Sequence, residues 1–243
     1  MPLLSVDNVS KMFGGLVAIR NLSFEVERGE IVGSDRTERR RQDDDVRGDQ
    51  RVPAGHRGAR VVFKDVDLGG RRPYETARLG LGRTFQITQP FPRFTVLENV
   101  MVAAFMNNRA RSVAEATARR VLSRVGMAAK ADFLAKNLTL ADNKRLEIGR
   151  ALATEPDLIL LDEVMAGLTP VEADDAIALL LSLNRDDGLT FLVIEHVMPI
   201  IMSISRRIVV LHHGEKIAEG TPDQVSRDPR VIEAYLGEES VLG

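Results

Sequence analysis

Leu158-Ile159-Leu160-Leu161-Asp162-Glu163 joins an aliphatic run to two adjacent carboxylates. Four aliphatics in succession suit a strand covered on both faces, and open α/β sheets bind ligands at the carboxyl ends of their strands. At such an end Asp162 is placed to hold Mg2+, directly or through water. Glu163 is placed to orient or deprotonate a water that attacks a terminal phosphate. The same hexapeptide also fits a strand closed by a solvated acidic turn. A second buried run, Thr190-Phe191-Leu192-Val193-Ile194, ends in Glu195-His196 at an equivalent sheet position. An imidazole there can touch a terminal phosphate or the attacking water. Alone, His196 reads as a surface histidine; paired with Asp162-Glu163 on a neighbouring strand end, it reads as part of the same site. His56, His212 and His213 have no such context and read as surface or turn residues.

The elements that must position these groups follow from pattern. Leu3–Val9 and Leu22–Val26 alternate, with breaks at Gly14-Gly15 and Arg28-Gly29, so the first thirty residues read as paired strands. Glu30-Ile31-Val32-Gly33 starts a buried strand that is expected to stop there. From Ser34 to Arg60 about half the residues are charged and Val46 and Val52 are the large aliphatics. Such a stretch cannot offset its ordering entropy by burial and reads as an irregular loop, unusually long for a compact domain. Order resumes at Val61-Val62-Phe63. Helical spacing dominates from about Pro92 to Thr154, a helix is expected over about 171–184, ended by Asp186-Asp187-Gly188, and another over 198–205. Strands at 207–211 and 216–218 flank a turn at His213-Gly214. Parallel strands alternating with helices predict an α/β nucleotide-binding core.

Composition narrows the rest. The 243 residues, 44% hydrophobic and 28% charged, are enough to bury a core. A balance of 33 basic and 35 acidic side chains leaves a net charge of −2, too little overall field to hold nucleic acid or an anionic membrane. The absence of cysteine excludes disulfides, thiolate metal sites and a cysteine nucleophile. No apolar run approaches the roughly 20 residues of a membrane span, and the N-terminus lacks a signal-like pattern, so a cytoplasmic protein is expected.

Several ordered motifs resemble those of the ATP-binding subunits of ABC transporters. Leu138-Thr139-Leu140-Ala141-Asp142 resembles their signature, normally Leu-Ser-Gly-Gly-Gln, at the family's distance before Asp162-Glu163. Arg83-Thr84-Phe85-Gln86 resembles the glutamine loop, Ala166-Gly167-Leu168-Thr169-Pro170 the dimer-contact loop, and His196 the switch histidine. Phe13 matches the aromatic that stacks on adenine. Within the superfamily, Phe13-Gly14-Gly15-Leu16, Gly82–Gln86, Asp162–Leu168 and Val231–Glu238 are most similar to subunits of branched-chain amino acid importers. In the signature, Thr139 keeps a hydroxyl, while Leu140 and Ala141 replace glycines; the resemblance implies a weakened or retuned contact with the partner's ATP rather than its loss.

The largest departure lies upstream. After Glu30-Ile31-Val32-Gly33 the family has a phosphate loop, Gly-x-x-x-x-Gly-Lys-Ser/Thr, whose amides cradle phosphates. Here Arg36-Thr37-Glu38-Arg39-Arg40-Arg41-Gln42-Asp43-Asp44 stands in that register, with Gln42 at the lysine and Asp43 at the hydroxyl position. Arg41–Asp44 can be encoded CGG CAA GAC GAC, which read one base later gives Gly-Lys-Thr. Ser34–Glu38 can similarly yield Gly-Pro-Asn-Gly, and Asp49–Ala54 Ile-Ser-Gly-Phe-Leu-Pro. Three family-like strings in order favour frame changes in the coding sequence between about Ser34 and Arg60 over a diverged, nucleotide-deficient subunit.

The resemblance implies an α/β fold, the ABC-type P-loop ATPase fold, with an N-terminal antiparallel β part and a helical subdomain. One ABC domain would span 1–243: a core of 1–87 and 154–243, a helical subdomain of 88–153, and the atypical segment 34–60. The implied cofactors are ATP and Mg2+. Glu163, His196 and Gln86 would be catalytic and Asp162 and Gln86 metal-binding. Phe13, Thr139, Ala141 and Asp142 would face nucleotide, with Gln42 and Asp43 where the loop residues belong. The implied partners are membrane permease subunits and a second ATP-binding subunit, with no nucleic acid and no direct membrane insertion. The site of action is the cytoplasmic face of the membrane. A transport ATPase impaired as written and a non-hydrolysing interaction subunit both remain; an RNA or DNA contact through Arg36–Arg41 is disfavoured by interleaved acids and absent aromatics.

Overall fold

The computed structural model describes residues 1–13, 16–36, 59–84 and 89–239. β1 (Leu4–Phe13) and β2 (Leu16–Val26) pair antiparallel from Leu4↔Val26 to Phe13↔Leu16, as their alternation predicts. Register breaks around Val9 coincide with Asn8 and Asn21, which adopt the left-handed backbone that asparagine tolerates. β3 (Ile31–Arg36) follows the turn at Gly29. β4 (Arg60–Phe63) and β5 (Val66–Asp67) form a hairpin whose two turn residues, Lys64 and Asp65, both have positive φ, as a type I′ turn requires. Then come α1 (Pro73–Arg78), β6 (Leu81–Arg83), α2 (Val96–Ala104), α3 (Arg111–Arg124) and α4 (Leu140–Leu152). β7 (Leu158–Asp162), α5 (Pro170–Asp187) and β8 (Thr190–Glu195) follow. The chain closes with α6 (Met198–Ile204), β9 (Arg207–His212), β10 (Glu215–Gly220), α7 (Pro222–Ser226) and α8 (Pro229–Glu239).

These elements form two compact units, Met1–Thr76 with Leu192–Gly243, and Ala77–Phe191. In the first, β2-β1-β4-β5 make one sheet, and β10-β9-β3-β8 are successive neighbours in another. β3 runs parallel to β9 from Val32↔Arg207 to Arg36↔Leu211. It therefore extends three residues beyond Gly33, where the polar sequence predicts its end. The ladder uses backbone amides whatever side chains they carry. The fully buried Asp35 accepts a hydrogen bond from Tyr235 Oη of α8, beside a core of Ile201, Ile208, Val210, Ala218, Val225 and Val231. The remainder of the expected loop, 37–58, lies outside the described residues. A Cβ on Gly33 would come within 2.3 Å of Ile201 Cγ2 and 2.4 Å of Ser205 Oγ, so β3 and α6 approach as only glycine allows. Arg207 donates to both Glu30 carboxylate oxygens, to Glu219 and to the Glu25 carbonyl, clamping β9 to β2 and β10.

The second unit holds β6, β7, the first two residues of β8 and the helices between. β6 pairs parallel with β7, from Leu81↔Leu158 to Arg83↔Leu160. α2 and α5 each open with a reciprocal capping box, Thr95 with Glu98 and Thr169 with Glu172. α5 ends on Gly188 in the left-handed conformation, at the Asp186-Asp187-Gly188 stop that the sequence predicts. Fully buried Asn99 bonds the Phe91 amide and carbonyl and the Thr95 carbonyl, satisfying the loop that enters α2. Among the described residues no helix is long and apolar enough to cross a membrane.

Candidate functional site

β7 carries the acidic pair at its carboxyl end. Leu158, Ile159 and Leu161 are completely buried, which fixes the strand and brings Asp162 out at its end. Thr84, directly after β6, accepts the Asp162 amide through Oγ1 at 3.3 Å, and its own amide donates to the Leu160 carbonyl at 2.9 Å. Arg83 Nη2 lies 3.4 Å from Asp162 Oδ2. The sequence assigns Arg83 only to a motif; its contact with Asp162 is a product of the parallel β6–β7 register.

Glu163 leaves the strand with φ of 47°, a left-handed backbone that costs a non-glycine residue about 1–2 kcal/mol. Its carbonyl accepts the Ala166 amide at 3.2 Å and the Lys144 ammonium at 3.0 Å. Lys144 is buried at 6% exposure, on α4. Lys144, Glu147, Ile148 and Ala151 share one buried stripe at helical spacing. A cation on that stripe is the signal in the sequence that Lys144 has a partner to meet; the partner itself is not encoded locally. The turn continues through Gly167, with φ of 79°.

α4 begins at the signature-like residues. Thr139 is its N-cap, accepting the Asp142 amide at 3.2 Å. Lys130 Nζ lies 2.6 Å from both Asp142 oxygens. Burial pushes the Asp142 carboxyl up, but the Lys130 and Thr139 hydrogen bonds outweigh it and hold it below the usual aspartate range. Leu140, half-exposed, reaches the turn after β7: a Cβ on Gly167 would sit 3.0 Å from Leu140 Cδ2. Ala141 lies in the first turn of α4. Within the second unit, α4, which Thr139 caps and which carries Ala141 and Asp142, meets the turn after Asp162-Glu163 through Lys144 and through the Leu140–Gly167 approach.

His196 follows β8 in the first unit, exposed, after the buried Glu195. Phe13 closes β1. Gln86, Gln42 and Asp43 lie outside the described residues. Among the described residues, no group of three or more His, Cys, Asp or Glu gathers as a metal site.

Similarity to known proteins runs along nearly the whole chain. The family described as ABC transporter matches residues 56–166, and that described as branched-chain amino acid ATP-binding cassette transporter matches residues 215–241, which include Tyr235. The chain is 36% identical to the high-affinity branched-chain amino acid transport ATP-binding protein LivG of Escherichia coli, with 98% of each protein covered. It is 32% identical to the corresponding protein BraF of Pseudomonas aeruginosa, again over 98% of each. The LivG alignment spans 255 positions against a chain of 243 residues, so at least a dozen of its positions are gaps here. The fold is similar to the ADP conformation of MJ1267, an ATP-binding cassette of an ABC transporter, with a TM-score of 0.79 at 28% identity over 98% of this chain and 99% of that one. With relatives above 30% identical across almost its full length, the chain belongs to the ATP-binding cassette ATPases of ABC transporters, and branched-chain amino acid transport proteins are among its relatives there.

Proposed function

We propose that this chain is the ATP-binding and ATP-hydrolysing subunit of a branched-chain amino acid importer, and that segment 34–60 as written impairs both activities. The transport reading is supported by the LivG and BraF likeness and by the C-terminal family match around Tyr235. Glu163, His196 and Gln86 are the proposed residues of hydrolysis, Asp162 and Gln86 those facing Mg2+, and Phe13, Thr139, Ala141 and Asp142 those facing nucleotide. The chain would pair with a second ATP-binding subunit and reach the cytoplasmic face of the membrane through permease subunits.

One observation carries the impairment: Ser34–Arg47 contains no glycine and no lysine. A triphosphate needs converging amides in glycine conformations, a lysine and a hydroxyl on Mg2+. The described start of this segment supplies instead Asp35, buried against Tyr235, and Asp162 already faces the Arg83 guanidinium. The residues present do not fit ATP with Mg2+ in the manner of the family. The same observation favours the second reading, a non-hydrolysing subunit that docks on a permease.

Titration of a fluorescent ATP analogue, with phosphate release measured in parallel, tests the proposal. The chain as written is expected to bind weakly and turn over negligibly, and a chain carrying a Gly-Lys-Thr loop in this register to do both. Ordinary hydrolysis by the chain as written would refute the impairment; silence of the restored chain would favour the non-hydrolysing reading. Sequencing the DNA that encodes residues 30–64 separates a frame change from divergence.

A further inference from the structure

We infer that Lys144 is a positioning residue, whose ammonium holds the turn after β7 so that Glu163 keeps one orientation. The inference rests on the proposal that Glu163 acts on water, and its test is chosen to separate the two.

Glu163 has a backbone that its side chain disfavours, φ 47°, at the point where the chain turns out of β7. Such a conformation persists where surrounding bonds determine it. Two donors converge on its carbonyl: the Ala166 amide, which closes the turn locally, and Lys144 Nζ at 3.0 Å, which arrives from α4. The local bond alone leaves the turn free to rotate as a unit about the end of β7. The ammonium removes that freedom, because Lys144 is buried at 6% exposure and its helix is itself fixed by buried Leu146 and Ile148. Burial also makes this bond stronger than its exposed counterpart, since an ammonium in a low-dielectric setting needs its acceptor. α4 begins, five residues earlier, at the Thr139 cap. One rigid helix therefore carries the signature-like residues at its N-terminus and the support of Glu163 one turn later, so that displacement of one is transmitted to the other.

The decisive measurement is amide hydrogen exchange in the full chain as it exists. Lys144→Met keeps the apolar stem and removes the donor. It is expected to speed exchange at residues 164–168 about tenfold while β7 and the rest of α4 keep their protection, and Lys144→Arg is expected to resemble the parent. Unchanged exchange in Lys144→Met would overturn the inference, and so would loss of protection throughout α4 and β7, the mark of a merely structural residue. In the full chain with the phosphate loop restored, Lys144→Met is expected to lower kcat roughly 10- to 100-fold with KM for ATP unchanged, and Lys144→Arg to recover most of it. A loosened turn with normal kcat, where Glu163→Gln abolishes turnover, would overturn the positioning role. Normal turnover in Glu163→Gln would instead refute the role of Glu163, and exchange alone would then decide for Lys144.

Discussion

Tyr235 Oη donates to the carboxylate of Asp35, joining α8 to the carboxyl end of strand β3 across 200 residues of sequence. The phenol comes from the C-terminal segment that matches the branched-chain transporter family; the acid lies in the polar sequence that follows Gly33. Buried polar groups are tolerated where hydrogen bonds satisfy them, and this contact lets an acid stand inside an otherwise aliphatic core.

A double-mutant cycle on this pair should show strong coupling. Tyr235→Phe is expected to cost about 1–3 kcal/mol in urea unfolding, because Asp35 loses a buried donor. In the Asp35→Ile background the same change should cost far less, a coupling of about 1 kcal/mol or more. Additive effects would show that the contact contributes nothing.

Gly33 should not accept a side chain. The Cβ of Gly33→Ala would meet Ile201 and Ser205 well inside van der Waals distance, and a loss of roughly 1–3 kcal/mol is expected. Adding Ile201→Ala should return part of it. Wild-type thermal stability in Gly33→Ala would contradict the close approach of β3 and α6.

Removing Arg207 should weaken the first unit. Burial pushes the Glu30 carboxyl up, but the Arg207 bonds and the Glu27 amide bring it below its ordinary value. Arg207→Met therefore leaves two carboxylates and the Glu25 carbonyl without this donor, and is expected to cost roughly 2 kcal/mol in urea unfolding after allowance for partial exposure.

The Lys130–Asp142 pair predicts a direction with pH. A carboxyl lowered by folding adds stability above its unfolded-state value and loses that contribution as pH falls through its folded value. Lys130→Met should thus be less stable than the parent near neutrality, by about 1 kcal/mol or less. The gap should narrow below about pH 4 and close in stronger acid. A gap that widened on acidification would exclude this origin.

Restoring lysine alone should fail. Gln42→Lys supplies one cation but none of the glycine-conformation amides that cradle phosphate, so ATP affinity should stay far below that of a chain with the whole loop restored. Isothermal titration of the two proteins decides it.

Much of this architecture was readable from local pattern. β7 and β8 announce themselves as aliphatic runs, and α5 is bracketed by Thr169-Pro170 and Gly188. β3 was readable only to Gly33. Ser34, Asp35 and Arg36 look like loop residues because what sustains them, the β9 amides and the Tyr235 phenol, lies about two hundred residues away. The acidic pair was visible as residue types at a strand end, while its neighbours Arg83 and Lys144 were not, since each contact depends on the register or packing of a second element.

The parallel ladder between β3 and β9 carries a further meaning for how such a protein withstands alteration. Main-chain donors and acceptors are indifferent to the side chains beside them, so a strand that ends in three polar residues still completes its neighbour. A cradle that must curl around an anion has no such indifference. Backbone pairing and anion binding therefore differ in how much substitution each tolerates.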